Sequence, residues 1–88
     1  MILKPDYLED CPEDQRYFPE SWKLSVWRNF GDTHKGYQCP GCHQFFKGSD
    51  GYSKMEGHHI LPWAKGGRTV WHNFQLICKA CNLKKWKH

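Results

Sequence analysis

The hydrophobic and polar positions of the chain predict one amphipathic helix in its first half. Trp22, Val26 and Phe30 recur every four residues, a spacing that places side chains on one face of an α-helix. Ser21 comes before this stripe as a candidate N-cap, and Gly31 follows it as a stop signal. We therefore expect a helix that starts near Ser21 and covers the core with its aromatic face.

The segments on either side of this helix lack helical periodicity. Residues 1–18 mix acids and tyrosines with prolines and predict an irregular acidic arm, whereas residues 19–88 are predicted to form one folded domain. Residues 37–57, with the sequence YQCPGCHQFFKGSDGYSKMEG, are rich in turn-forming residues. They predict a knuckle followed by a loop or a short hairpin.

The last third of the chain alternates short apolar runs with turns. Residues 55–63, MEGHHILPW, predict a strand that ends at Pro62, and a loop hinged on glycines follows. Asn73 is a possible cap for the final segment. We expect that segment to finish in a short basic helix with Ala80 and Leu83 facing inward.

The length of the chain limits what it can build. With 88 residues it has room for one compact domain with a modest apolar core, and such small cores usually need a staple. The start, MILKPDYLED, carries no signal-like apolar run, and no segment reaches the length that crosses a bilayer. We expect an intracellular, cytoplasmic protein in a reducing compartment, without a membrane partner.

Charge is unevenly distributed along the chain. The formal net charge is +4, yet residues 1–20 carry six acids and only two bases. After Glu56 there is no Asp or Glu, whereas six Lys and Arg residues follow. The basic second half is suited to a polyanion such as nucleic acid, although a solvated basic surface has the same composition.

Four of the five cysteines form two C-x-x-C pairs. Cys39 and Cys42 make the first pair, Cys78 and Cys81 the second, and 35 residues separate the pairs. Four thiolates on two tight turns are typical of a closed structural zinc site, and so long a spacer implies a functional unit between the knuckles. The alternatives are a dithiol redox site or fortuitous pairs, but no βαβ pattern accompanies either pair. Cys11 is left as an ordinary thiol.

Between and just after the cysteine pairs, the residues form an ordered series of motifs: E-G-H-H-I-L-P, then G-G, then W-H-N-F-Q-L-I-C, then C-N-L-K-K. From about Ser21 to Lys85 the chain resembles the HNH, or ββα-metal, endonuclease family in its four-cysteine form. The adjacent histidines preceded by a glutamate are also similar to the arrangement in the nuclease domains of colicin toxins. The resemblance is carried by Glu56, His58, His59, Pro62, Gly66, Gly67, Asn73, Cys78, Cys81, Asn82 and Lys85.

This resemblance implies a fold class. The expected fold is α+β, a small ββα-metal (His-Me finger) nuclease fold with a two-stranded antiparallel hairpin and a helix around the catalytic metal. A four-cysteine zinc site would staple it, and the N-terminal helix would pack across it. Residues 19–88 would then form the HNH nuclease domain, behind the acidic arm of residues 1–18.

The resemblance also implies catalytic roles for four residues. His59 matches the general base, which takes a proton from the attacking water, and His58 matches a ligand of the catalytic metal. Asn73 matches the middle asparagine, which pins the loop and helps to orient the base by hydrogen bonding. Asn82 takes the last position of the motif, where the family has His or Asn, so the chain is an H-N-N variant. Because an amide oxygen is a harder ligand than imidazole, the pair favours Mg²⁺ or Mn²⁺.

Basic residues surround these motifs. Gly66 and Gly67 are predicted to let the loop turn back so that Asn73 reaches His59. Cations beside the loop and on the last helix could hold phosphates without reading sequence, and each is equally consistent with a solvated surface. These candidate DNA contacts are Lys65, Arg68, Lys79, Lys84, Lys85 and Lys87.

The sequence thus predicts a DNA endonuclease with a structural Zn²⁺ and a catalytic Mg²⁺ or Mn²⁺. Its expected specificity is weak, or is supplied by a homodimer or a partner protein. Taken singly, the histidines and asparagines also fit ordinary surface or capping positions. Two alternatives stay open: a non-catalytic zinc module that binds nucleic acid, in which His58 and His59 are dispensable, and a redox or structural dithiol protein.

Overall fold

A computed structural model describes residues 4–30 and 35–84 of the chain. The elements in these ranges are, in order, α1 (Glu20–Phe30), β1 (Tyr37–Gln38), β2 (Phe45–Phe46), α2 (Gly48–Tyr52), β3 (Met55–His59), β4 (Phe74–Cys78) and α3 (Lys79–Leu83). Two short 3₁₀ turns, Trp63–Lys65 and Trp71–Asn73, lie between β3 and β4. The predicted stop at Gly31 and the candidate contacts Lys85 and Lys87 lie outside the described residues.

The centre of the fold is the β3–β4 pair followed by α3. The strands are antiparallel, in a register that runs from Met55 opposite Cys78 to His59 opposite Phe74. Met55 and Ile77 are completely buried on this sheet, and burying a side chain of that size contributes roughly 2 kcal/mol of hydrophobic stabilisation. The predicted α+β fold, two antiparallel strands and a helix, is confirmed.

Strand β3 is shorter than its sequence pattern predicts. It ends at His59 instead of Pro62, and the apolar side chains of Ile60 and Leu61 are 41% and 50% exposed. Asn73, predicted as a possible cap, instead closes a 3₁₀ turn and is followed directly by β4. Its side chain takes over the backbone hydrogen bonds of Leu61 that a longer strand pair would otherwise satisfy.

Strands β1 and β2 form a second, very short hairpin. Tyr37 lies opposite Phe46, and the turn between the strands holds the first cysteine pair. The hairpin therefore encloses the knuckle, whereas the sequence predicts it after the knuckle. The buried hydroxyl of Tyr37 donates to the carbonyl of Leu76 at 2.6 Å and fastens this hairpin to β4.

Helix α1 covers one side of this core. Trp22 is 1% exposed and its indole N–H donates to the carbonyl of Glu9 at 2.9 Å, whereas Phe30 at the other end is 45% exposed. Ser21, predicted as the cap, lies in the first turn and donates to the Glu9 carboxylate at 2.7 Å. In the described parts of the chain, no helix has the length and apolar character to cross a membrane.

The arm before α1 is irregular but packed. Its described residues, 4–19, form turns and bends without helix or strand. Leu8 is 5% exposed, and the ring of Phe18 lies 5.9 Å from that of Trp22, while Tyr7 and Tyr17 are both 76% exposed. Parts of the arm therefore pack against the core, and the hydroxyl of the exposed Tyr7 lies 3.4 Å from that of Ser25 in α1.

Helix α3 faces the core with a different side from the predicted one. Leu83 is 82% exposed and Ala80 is also exposed, whereas Cys81 is buried. Residues three apart share a face of a helix, so Cys78 and Cys81 turn one face inward. The face with Ala80 and Leu83 must then point outward, and the prediction for these two residues is wrong.

Candidate functional site

The four paired cysteines come together at one point, here called the cysteine centre. Cys39 and Cys42 come from the turn between β1 and β2, Cys78 ends β4, and Cys81 lies in α3. Their four sulfur atoms all lie within 4.8 Å of one another. The Sγ atoms of Cys39 and Cys81 are 3.8 Å apart, and so are those of Cys42 and Cys78.

This geometry fits a tetrahedral metal ion. Zinc with Zn–S bonds of about 2.3 Å sets neighbouring sulfurs about 3.8 Å apart, which is the separation of both measured pairs. Burial raises the pKa of Cys81 to about 12. Burial also acts to raise the pKa of Cys39, but backbone N–H groups of Cys42, Cys78 and Gly41 outweigh it and lower the pKa to about 7. A bound cation would bring all four to the thiolate form, so the centre can hold a structural zinc.

A second site lies beside the cysteine centre, in a cavity of about 830 Å³ here called the histidine groove. One wall comes from β3, α3 and the loop after β3, and the other comes from the end of the arm and from α1. The lining residues include Glu56, His58, His59, Trp63, Lys65 and Asn82 on the first wall, and Arg16, Tyr17, Phe18 and Lys23 on the second.

His58 and Asn82 bring two potential metal ligands together in this groove. The Oδ1 atom of Asn82 lies 3.3 Å from Nδ1 of His58. The Nδ2 atom of Asn82 donates to Oε1 of Glu56 at 2.8 Å, which fixes the amide with its oxygen towards the imidazole. An imidazole nitrogen and an amide oxygen placed in this way are groups that could hold a hard divalent cation, with further coordination positions left for other ligands.

His59 lies at the end of β3 with its ring held between arm and loop. Its Nε2 atom is 3.0 Å from the hydroxyl oxygen of Thr69, and its ring centroid is 4.2 Å from that of Phe18. Burial lowers the pKa of His59 below its usual value, and the neighbouring charges of His58 and Arg16 lower it further. A lowered pKa keeps the imidazole neutral near pH 7, the form that can accept a proton.

Asn73 closes the loop that carries these residues. It is 8% exposed; its Oδ1 atom accepts from the N–H of Leu61 at 2.7 Å, and its Nδ2 atom donates to the carbonyls of Leu61 and Arg68. The asparagine thus pins the loop through Leu61 and Arg68, not through a contact with the His59 ring.

The sharp turn at the glycines of this loop is confirmed, but the side chain of Asn73 bonds to the backbone of Leu61 and Arg68 and not to the His59 ring. Gly66 has φ +93°, a left-handed conformation that glycine adopts without strain. At Gly67 a Cβ atom would lie 1.7 Å from the carbonyl oxygen of Leu61, so any side chain would push the loop open. The two glycines allow the loop to fold back sharply, as the sequence predicts.

The basic residues separate into groups that the sequence does not distinguish. Lys65 lines the histidine groove, and the guanidinium of Arg68 lies 5.2 Å from the centre of the Trp63 ring. Lys79 at the start of α3 and Lys84 directly after its end are both exposed, outside the groove lining. Lys85 and Lys87 fall outside the described residues.

Arg16 and Lys23 line the groove but were not predicted as contacts. Arg16 is one of only two bases among the first 20 residues, which contain six acids. The composition of this region therefore gives no indication of a contact to DNA. Lys23 lies on the predicted core-covering helix. Only the packing of the arm and α1 against β3 brings these two cations to the histidines.

Comparison with known protein families decides the wider relationship. The family model described as HNH endonuclease matches residues 39–87, more than half of the chain. The chain belongs to the HNH endonuclease family. The matched segment of this HNH protein contains the cysteine centre, both groove histidines, Asn73 and Asn82, whereas the arm and α1 lie before it.

One curated relative of this HNH protein is not named as an endonuclease. It is Anaredoxin from Nostoc sp. (strain PCC 7120 / SAG 25.82 / UTEX 2576), which is 32% identical over 53 residues. The alignment covers 60% of this chain and 62% of the relative, so the chain spans less than two thirds of that protein's length. No solved structure matches the chain.

Proposed function

We propose that this HNH protein is a metal-dependent endonuclease that hydrolyses phosphodiester bonds in DNA. The observation that carries the proposal is the histidine groove, where a half-buried imidazole of lowered pKa, His59, lies beside two potential metal ligands, His58 and Asn82. A general base next to a cation-binding pair is the minimum that hydrolysis of a phosphodiester requires.

The residues of the groove divide the chemistry between them. His59 takes a proton from the water that attacks the phosphorus, while His58 and Asn82 would hold Mg²⁺ or Mn²⁺. Such a cation, when bound, neutralises the phosphate and stabilises the departing 3′ oxygen. By analogy with the family, the products carry a 5′ phosphate and a 3′ hydroxyl.

Binding of the DNA strand uses cations on both walls of the groove. Lys65 lies on one wall, and Arg16 and Lys23 lie on the other, so a phosphate backbone in the groove meets positive charge on each side. Contacts of this kind position a strand without reading its bases. We therefore propose weak sequence preference, with any specificity supplied by a second copy or a partner protein.

The cysteine centre has a structural part in this proposal. A zinc ion there ties the β1–β2 turn to β4 and α3, and Asn82 follows the ligand Cys81 directly in the chain. Thiolate ligands persist in a reducing environment, which supports an intracellular location.

The test is cleavage of supercoiled plasmid with Mg²⁺ or Mn²⁺ by wild type and by His59→Ala, purified identically. We expect nicking by the wild type and a loss of about 100-fold or more in the variant, the contribution typical of a general base. His72→Ala is the matched control, because His72 is exposed and does not line the groove. Equal nicking by wild type and His59→Ala would contradict the proposal.

The alternative within the same family is a non-catalytic zinc module that binds nucleic acid. It predicts no cleavage with any divalent metal by either protein, while both bind DNA equally well. Measuring duplex binding by fluorescence anisotropy on the same samples separates a protein that binds only from an enzyme.

The name of the relative Anaredoxin favours a second candidate, redox chemistry at the cysteines. Two sulfur pairs 3.8 Å apart lie close enough to form disulfides after a small movement. Elemental analysis separates the two roles: one tightly bound zinc per chain supports the structural role, and zinc-free protein whose four thiols oxidise reversibly supports the redox role.

A further inference from the structure

We propose that Thr69 and the end of the N-terminal arm position His59 by fixing which of its nitrogens carries the proton. Thr69 accepts a hydrogen bond from Nε2–H of His59, and the backbone carbonyls of Gln15 and Arg16 hold the Thr69 hydroxyl in the orientation that makes this possible. The catalytic consequence rests on the proposed function, whereas the hydrogen-bonding pattern does not.

The atoms around the Thr69 hydroxyl favour one arrangement of hydrogen bonds. Thr69 is 3% exposed, and its Oγ1 atom lies 2.6 Å from the carbonyl oxygen of Gln15 and 3.1 Å from that of Arg16. Nε2 of His59 lies 3.0 Å from the same Oγ1 atom. Carbonyl oxygens only accept, and a hydroxyl has a single hydrogen to donate, so that hydrogen points to the arm.

The opposite hydrogen-bonding arrangement, with the Thr69 hydroxyl as donor to His59, is energetically less favourable. If the hydroxyl donated to His59 instead, the Oγ1 atom and the carbonyl oxygen of Gln15 would face each other at 2.6 Å with no hydrogen between them. Two acceptors at that distance repel each other, and the carbonyl of Gln15 would lose its donor. The arm therefore makes Thr69 an acceptor towards the imidazole.

The hydrogen bond to Thr69 determines which nitrogen of the His59 imidazole carries the hydrogen. A neutral imidazole has one N–H donor and one bare nitrogen. With Nε2–H bonded to Thr69, Nδ1 is the bare nitrogen and is the atom that can take a proton from water. The ring of Phe18, 4.2 Å from that of His59, restrains the same imidazole from its face.

Most of the residues that restrain His59 in this way lie outside the segment that the family model matches. Gln15, Arg16 and Phe18 precede residues 39–87, which the family model matches. The arm thus gives the catalytic histidine a positioning contact from this chain's own N-terminal region. Thr69 acts through His59 and is a positioning residue.

The test is nuclear magnetic resonance of zinc-loaded, full-length protein with ¹⁵N-labelled histidine, at a pH where His59 is neutral. In the wild type we expect a single tautomer with hydrogen on Nε2 and slow exchange of that hydrogen with solvent. Thr69→Val, which keeps the shape but removes the hydroxyl, should lose this protection and show both tautomers. Thr69→Ser should restore the wild-type signals, and exposed His72 serves as internal reference.

Two results would overturn the proposal. One is hydrogen on Nδ1 of His59 in the wild type, and the other is an Nε2–H in Thr69→Val that exchanges as slowly as in the wild type. Thermal unfolding of each variant checks the fold, and Thr69→Ala provides a second deletion of the hydroxyl if Thr69→Val does not fold. The wild-type spectrum decides the tautomer without any variant.

Kinetics connect this hydrogen bonding to cleavage. We expect Thr69→Val to lower kcat by about tenfold to 100-fold with little change in KM, because base catalysis is impaired and strand binding is not. Thr69→Ser should recover most of the rate. If the spectra match and no variant, including the wild type, cleaves DNA, the assigned tautomer stands and the nuclease proposal fails.

Discussion

The cysteine centre and the histidine groove share helix α3 but differ in how completely the protein surrounds them. The first has four ligands from three parts of the chain, all within 4.8 Å of one another. The second offers His58 and Asn82 on one wall of a cavity of about 830 Å³. Among the described residues, a group of three or more His, Cys, Asp or Glu ligands occurs at the cysteines alone.

Under the proposed function, this difference separates a metal site for stability from one for chemistry. A closed shell of four protein ligands leaves no position for substrate, whereas an open shell leaves room for water and phosphate. The cysteine centre can therefore keep its ion permanently. A cation held in the groove, as proposed, should exchange readily with solvent.

The two sites also depend on each other unequally. Asn82 follows the ligand Cys81 in the chain, and Cys78 pairs with Met55 at the far end of the strand that carries His58. Loss of the cysteine centre should therefore dismantle the groove. Loss of a groove ligand should leave the cysteine centre intact, and the following predictions test this asymmetry.

The largest effect is expected from Cys81→Ser. Removing one thiolate from the centre opens the closed shell, and zinc binding in such small domains supplies much of the free energy of folding. We expect loss of the cooperative thermal transition in circular dichroism, and no cleavage. Cys11→Ser is the control, since Cys11 lies outside the cluster. A folded, zinc-free Cys81→Ser protein would show that the centre is dispensable.

A smaller loss of stability is expected from Asn73→Ala. The side chain makes three hydrogen bonds to loop backbone from an 8% exposed position, and leaving those groups unsatisfied should lower the free energy of unfolding by about 2–4 kcal/mol. Urea unfolding of the zinc-loaded protein measures it. The control is exposed Asn29→Ala, and equal stabilities of the two variants would refute a pinning role.

His58→Ala should affect the metal requirement and leave the fold unchanged. Loss of one ligand should raise the Mn²⁺ concentration for half-maximal cleavage by about tenfold or more, comparable to the effects of weakening a metal site. Cleavage measured against Mn²⁺ concentration gives this value, and elemental analysis should still find one zinc per chain. An unchanged Mn²⁺ dependence would remove His58 from the metal site.

The smallest effect is expected from single groove cations. Lys65→Ala should weaken DNA binding for all sequences and reduce the slope of log affinity against log salt by about 1, as for one lost phosphate contact. Lys79→Ala, an exposed lysine outside the groove lining, is the matched comparison. If Lys79→Ala has the larger effect, the strand follows α3 and not the groove.

The parts of the fold set by local chemistry could be predicted from sequence. The cysteine spacing predicts the centre, and the turn signals at Gly66 and Gly67 predict the sharp loop that the structure contains. The apolar stripe at Trp22 predicts α1. In each case the physical cause lies within a few residues of the signal.

The parts set by tertiary contacts could not be predicted. Leu83 is exposed because Cys78 and Cys81 determine the inward face of α3, and β3 stops at His59 because Asn73 takes the backbone bonds of Leu61. The link from the arm to His59 through Thr69 joins residues 53 and 54 positions apart, and no local pattern indicates such a contact.

The most direct test of the proposal that the protein has two unequal metal sites is to measure metal content and cleavage in one sample. The protein is dialysed against a chelator of moderate affinity, analysed for zinc, and assayed on supercoiled plasmid before and after addition of Mn²⁺, with His59→Ala in parallel. We predict one retained zinc per chain, no cleavage without added Mn²⁺, and restored cleavage by the wild type alone. Cleavage without added metal, or equal cleavage by His59→Ala, would contradict the account.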